Sequence, residues 1–317
     1  ERTKTMKNLF TTAFLALSLV AGCSSDESGD VNAGTGTETG PITCDDAAGV
    51  CTIQAPGSAP ITENVTLTAD KKWLLKGGVF IGDDKTSTTL TIEPGTQIYG
   101  ETSSKAFMVI RRGSKIMAEG TKDKPIVMTS SQPEGSRARG DWGGLVINGR
   151  APVNGCDTPP CEPEGEGGTG QYGGDNPMDS SGTLRYVRVE FAGHPITPEN
   201  ELNGIAFQGV GAGTTIEYIQ VHMAADDGIE FFGGNAQFKY VLTTGISDDN
   251  LDWTDGWTGK GQFFVAQQYE DAGDNGIEAD NNGDNNAAEP RSMPTLSNLT
   301  LLGVAASKDS DIGMLLR

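Results

Sequence analysis

The 317-residue chain predicts an all-β fold, a single-stranded right-handed parallel β-helix of about ten coils, preceded by a disordered leader and tether. Three observations carry that expectation. From about residue 61 onward, short runs alternate apolar and polar side chains, among them TLTIEPGTQIYG, AFMVIRRGSKIMAEG, LRYVRVEFAG, TIEYIQVHM and FKYVLTTG. Strict alternation is the signature of strands, and helical periodicity is nearly absent. Each run closes on Gly, Asn or Asp, residues that reach the positive φ angles of sharp turns. The runs return at intervals of 20–26 residues, a period that points to a solenoid rather than a sandwich. Parallel strands joined by crossovers set the expected hand.

Composition agrees. A hydrophobic content of 36% and 7% aromatics suit many short strands and turns better than a compact two-layer fold. The net charge of -20 excludes nucleic acid as a partner and favours cations. Residues 201–317 hold 18 Asp+Glu against 5 Lys+Arg, whereas residues 1–200 hold 25 against 18. Charge-based function is therefore expected in the last third.

The N-terminal segment reads from Met6, with residues 1–5 as a non-native overhang. Lys7 precedes a 13-residue apolar run, Leu9 to Ala21. The run is too short to span a bilayer and has the length of a signal-peptide core. It ends in Val20-Ala21-Gly22-Cys23, which resembles the lipobox of bacterial lipoproteins. That resemblance implies a signal peptide over 1–22, acylation of Cys23 and a membrane anchor through the N-terminal lipid. Ser24 in place of aspartate implies sorting to the outer membrane. Residues 24–42 have almost no apolar side chain and read as a flexible tether. The expected boundaries are 23–60 for the lipidated cysteine and tether and 61–317 for the β-helix. The final GMLLR is read as a truncated end.

With Cys23 acylated, four cysteines remain. Cys44 and Cys51 lie seven apart, Cys156 and Cys161 five apart. Two local disulfides are the simplest pairing outside the cytoplasm. A four-cysteine metal site lacks both CxxC spacing and a nearby histidine.

The clearest repeat begins at Asp226 (DDGIEFFGG), Asp248 (DDNLDWTDG) and Asp274 (DNGIEADNN), at offsets of 22 and 26 residues. In a solenoid these stack Asp226 on Asp248 on Asp274, Glu230 on Asp252 on Glu278, and Asp227 on Asp249 on Asn275, about 4.8 Å apart. Like charges at that spacing repel by about 1 kcal/mol per pair even in water. Such columns persist when a cation bridges them, when some members are protonated, or when backbone N–H groups cap them. Calcium suits this donor set best, because it takes six to eight oxygens in flexible geometry. Asp280, with Asn282 and Asp284, extends the candidate ligands into a Gly-rich loop. The competing reading is that these acids cap turns and face water.

IEPGTQIYG, GSKIMAEGT running into KPIVMTS, GDWGGLVING and the three acidic repeats together resemble a family of predicted outer-membrane lipoproteins of Gram-negative bacteria. The resemblance covers residues 60–317. It implies a right-handed parallel β-helix similar to pectin lyases and a surface location, and it brings no activity with it.

The expected function is that of a non-enzymatic cell-surface lipoprotein, cation-stabilised and acting in adhesion, glycan binding or surface assembly, with a polysaccharide or a surface protein as partner. The rival is a polysaccharide lyase or glycoside hydrolase that uses Asp226, Asp227, Asp252 and Asp255 as acid and base. Against the rival, the NTD, DD, GHG and RIK segments of polygalacturonases are absent. Lys239 and Lys260 are the only cations between 226 and 282, and neither sits in a lyase motif. His194 and His222 read as turn or surface residues. In DWTDGW, Trp257 is the candidate for stacking on a sugar ring. Trp253 and Trp142 read as packing residues.

Overall fold

The computed structural model describes residues 40–54, 59–197, 200–305 and 312–317. The signal peptide, Cys23, Ser24 and most of the tether lie outside the described residues. No α-helix occurs among those described, only 3-10 turns at Thr102–Ser104 and Glu166–Gly168.

Two parallel sheets wind along one axis. The longer contains thirteen strands and the shorter six. Along the longer sheet, nine successive rungs run from Val50–Gln54 to Thr295–Leu302, each paired in parallel with the next. Among the described residues these rungs accord with the expected ten or so, and residues 149–181 run outside the two sheets as a loop. Every second side chain points inward and stacks on its counterpart one coil away. Trp73, Ile98, Met128, Val189 and Val221 form one such column in direct register, all buried. Burial of about 1.5–3 kcal/mol per such side chain is what holds coil to coil.

The shorter sheet runs through Gly78–Ile81, Phe107–Ile110, Gly144–Asn148, Ile205–Gln208, Ile229–Phe232 and Leu251–Thr254. Its first four strands are largely apolar on both faces, a pattern that requires cover on both. The outward residues Phe80, Val109, Val146 and Ala206 stand in one register column. Val153, Cys161 and Tyr172 from the 149–181 loop, and Leu202 from the next, close over them in a second apolar cluster. The same column then continues as Glu230 and Asp252. One outward face of one sheet therefore changes from apolar to acidic between consecutive coils.

The disulfides Cys44–Cys51 and Cys156–Cys161 form as expected. The first corrects the expected boundary. Residues 42–54, assigned to the tether, make an antiparallel hairpin, Ile42–Asp45 with Val50–Gln54, whose second strand joins the long sheet. Cys51 and Ile53 stack on Trp73 and Leu75, and this burial outweighs the polar composition around them. The second disulfide staples the covering loop. Replacing Cys156 and Cys161 by serine is expected to cost about 2 kcal/mol, the chain-entropy value for so short a closed loop, read as a shift in urea midpoint. A loss below about 0.5 kcal/mol would mean the loop is held by its apolar contacts alone.

Candidate metal centre

The repeats at Asp226 and Asp248 lie where a turn enters a strand of the shorter sheet, and the one at Asp274 precedes Glu278–Ala279, which pairs with Leu315–Leu316 in a separate two-stranded sheet. The glycine of the first repeat, Gly228, and Gly204 at the same register position one coil earlier are dictated by the neighbouring coil. A Cβ on Gly228 would sit 2.7 Å from the Asn250 carbonyl oxygen, and one on Gly204 would sit 2.6 Å from the Gly228 carbonyl oxygen. Only glycine lets coils approach that closely. The acids before and after it then project along one edge of the solenoid.

The expected columns form. The amide of Asp249 donates to Asp227 Oδ1 at 3.0 Å, and the amide of Asn275 donates to Asp249 Oδ1 at 2.7 Å. This column is thus capped by the backbone of the following coil, one of the three ways foreseen for such charges to persist. Glu230 faces Asp252 in direct register. The Asp274 amide bonds the Asp248 carbonyl at 3.1 Å, which sets those residues one above the other.

Three sets of carboxylates have oxygens within 4.8 Å of one another: Asp226, Asp227 and Asp248; Asp227, Glu230 and Asp252; Asp248, Asp249 and Asp274. Asp227 and Asp248 each belong to two sets. Together with Glu278 these groups line a cleft of about 280 Å³, and Glu166, Glu201 and Arg317 complete its wall. Arg317 forms an ion pair with Glu278 at 2.5 Å. One guanidinium faces ten carboxyl groups.

Burial drives the electrostatics, and neighbouring charge adds to it. Burial, then Asp248, pushes Asp226 up to about 8. Asp249 is likewise raised to about 8 and Asp252 to about 7, burial again coming first. Asp227 and Glu230 are raised well above the usual carboxylate range by burial and by Asp252. Glu166 rises to about 7 through burial and Glu201. A carboxyl group this displaced is protonated unless something positive sits beside it.

The buried amides meet the carboxylates with one oxygen to spare. Asn203 Nδ2 donates to Glu230 at 2.6 Å and Asn275 Nδ2 donates to Glu278 at 3.2 Å. Both side-chain carbonyl oxygens lack a hydrogen-bond partner, though the residues are only 2% and 1% exposed. Clustered carboxylates with neutral carbonyl oxygens are the donor set of a hard divalent cation such as calcium.

One expected ligand, Asp280, and one candidate catalytic residue, Asp255, lie elsewhere. Asp280 lines a separate hollow with Trp253 and Asn281 and spends Oδ1 on the Asn281 amide at 2.6 Å. Asp255 leaves the proposed catalytic quartet. It sits at φ 52°, accepts the Tyr172 hydroxyl at 2.6 Å and Asn282 Nδ2 at 3.2 Å, and lines a different pocket with Asn154 and Asp284. Asp255 lies past the end of the strand Leu251–Thr254, three residues and about 10 Å of extended chain from Asp252, and lines a different pocket from Asp252 and the acids of the turn. Trp257 is a further correction. It is fully buried, stacks on Phe231 at 4.3 Å and cannot meet a sugar. Its side chain fills the interior because the turn after Asp255 folds it inward, where Nε1 donates to the Ala236 carbonyl at 3.2 Å. Trp142 and Trp253 are also buried. His194 bonds the Gly140 carbonyl and His222 bonds Thr244 Oγ1, both away from the cleft lining.

Glu166, Glu201 and Asn203 were not foreseen. Asn203 opens NGIAFQG, one coil before Asp227 and at the same register position, whereas Glu166 and Glu201 come from loops outside the repeat, with no period to flag them. The only trace is acid within Gly- and Pro-rich stretches, PEGEGG and PENE.

A family profile described as the pectate-lyase-like beta helix domain matches residues 59–317. No curated protein matches. Among solved structures, the crystal structure of the periplasmic alginate epimerase AlgG is similar at 11% identity over 87% of this chain and 80% of that one, with a TM-score of 0.29, a likeness on which nothing further rests.

Proposed function

The chain belongs to the pectate-lyase-like β-helix domain family, and on that premise we propose that it is a non-enzymatic, lipid-anchored protein of the outer membrane whose carboxylate cleft holds calcium and which serves adhesion, glycan binding or surface assembly. The observation behind the cation reading is the set of overlapping carboxylate triads sharing Asp227 and Asp248. Oxygens within 4.8 Å of one another are crowded for acid–base catalysis, where the paired carboxyls stand about 5–5.5 Å apart in retaining and 6.5–9.5 Å in inverting enzymes. A bridging cation needs that crowding, with shared carboxylates spanning adjacent ions. Lyase chemistry needs a free basic side chain, and among the described residues the one cation lining the cleft, Arg317, is paired with Glu278.

Calcium at about 100-fold excess over its Kd should add about 2.7 kcal/mol to stability. For a domain of this size that raises the melting midpoint by about 5–10 °C over the chelated protein. Asp227→Asn with Asp248→Asn, which touches all three triads, should abolish most of that rise. An equal midpoint with calcium and with chelator would remove the proposal. Turnover of polygalacturonate or a neutral glucan that is lost in Asp252→Ala would favour the enzymatic rival.

The anchor rests on Val20-Ala21-Gly22-Cys23 and Ser24. Cys23→Ala is expected to shift the protein from the membrane fraction to the soluble fraction. Retention in the membrane would discard the lipid.

A further inference from the structure

The acidic columns of the cleft are bounded, and their two ends differ. One coil before Asp227 and Glu230 stand Asn203 and Ala206, which carry no charge. One coil after Asn275 and Glu278 stand Ile312 and Leu315, which carry none either. Strand period then brings Arg317 to the same side as Leu315, where it joins the cleft wall. Its backbone is held at two points. The amide of Leu315 donates to the Ile277 carbonyl and that of Arg317 to the Ala279 carbonyl, both at 2.8 Å. The register of the coil therefore fixes the place from which the guanidinium leaves.

Both oxygens of Glu278 are engaged. Oε1 meets Arg317 at 2.5 Å, and Oε2 accepts Asn275 Nδ2 at 3.2 Å. The Asn275 amide in turn donates to Asp249 Oδ1, so the ion-paired glutamate borders the set of Asp248, Asp249 and Asp274. The charge of Arg317 reaches Asp248 and Asp252 as well. Adjacent sets share Asp227 or Asp248, so ions bound on them would be close neighbours. Two divalent ions repel four times as strongly as two unit charges at the same distance, and a divalent ion beside a guanidinium only twice as strongly. A positive charge at the last coil thus meets half the repulsion when the chain itself supplies it.

We propose that Arg317 is the cleft's own counter-ion and sets its capacity. It takes Glu278 out of the ligand set and neutralises the last coil, so the cleft accepts two divalent cations rather than three. One lies on Asp226, Asp227 and Asp248, the other on Asp227, Glu230 and Asp252, and the set of Asp248, Asp249 and Asp274 stays without an ion of its own. This inference rests on the calcium reading of the cleft. It adds that the number of ions is limited by one side chain from outside the acidic repeats, and that removing a cation from the protein increases the number of metal ions it holds.

The test is a calorimetric titration of calcium into the purified, chelator-stripped protein, read as ions bound per chain. The wild type is expected to take two and Arg317→Gln three, because Glu278 Oε1 becomes free to join the last set. Arg317→Lys keeps the charge and should stay at two. Glu278→Gln breaks the ion pair without adding a ligand and should also stay at two, as should Arg317→Gln combined with Glu278→Gln. A count of three in the wild type, or of two in Arg317→Gln, would overturn the inference and leave the calcium reading standing. Equal loss of calcium in Arg317→Gln and Glu278→Gln would overturn it too, since the pair would then only be bracing the last coil. No binding in any of the five proteins would remove the calcium reading and this inference together.

Discussion

Stripped of divalent cations, the protein is expected to melt at a higher temperature at pH 5 than at pH 8, the reverse of the usual carboxylate behaviour. The groups responsible are Asp226 and Asp249, raised to about 8, and Asp252 and Glu166, raised to about 7. Their unfolded values lie near 4. Between those limits the native state binds more protons than the unfolded state, so stability falls as pH rises. The contribution is fully present below about pH 4 and is lost through pH 7–8. Each unit of displacement is worth about 1.4 kcal/mol, and although the groups titrate together rather than independently, the sum is large on the scale of a domain's stability. Calcium should flatten or invert the trend, because it binds the ionised carboxylates and its contribution grows with pH. Melting curves at pH 5, 6, 7 and 8, with EDTA and with calcium, check both. A chelated protein that gains stability on going from pH 5 to 8 would show that the cleft is not enclosed.

Trp257→Ala is expected to destabilise by about 3–5 kcal/mol, the usual cost of emptying a large aromatic site in a core. Trp257 stacks on Phe231, which stacks on Phe207 at 5.0 Å, and Phe238 lies parallel at 6.2 Å. Truncation opens a cavity across two coils and leaves the Ala236 carbonyl without its donor. Trp257→Phe keeps most of the stacking and should cost less. Urea denaturation measures both. A loss under about 1 kcal/mol for the alanine variant, a value typical of partly exposed sites, would return Trp257 to the surface and revive its role in sugar stacking.

Much of the acidic site was legible before any coordinates. The offsets of 22 and 26 residues, combined with the geometry of parallel coils, place Asp226 over Asp248 and Glu230 over Asp252. Period and pleat leave little freedom in that assignment. Asp255 and Asp280 broke from it, since each lies just past the end of its strand, and turn conformation is not set by strand period. The position of Trp257 was illegible for the same reason, because alternation stops where the strand does.

By itself, the amino-acid sequence determined the all-β solenoid, its repeat, the pairing of its four described cysteines and the acidic columns, because each depends on local spacing along one chain. The tertiary structure alone decided which acids are enclosed. The loops carrying Glu166 and Glu201 come from outside the repeat and fold over its edge. Enclosure, not composition, moves the carboxyl groups out of their ordinary range and turns a row of surface acids into a cleft. It also decided that the hairpin at 42–54 belongs to the solenoid, since two buried side chains there find the core of the next coil.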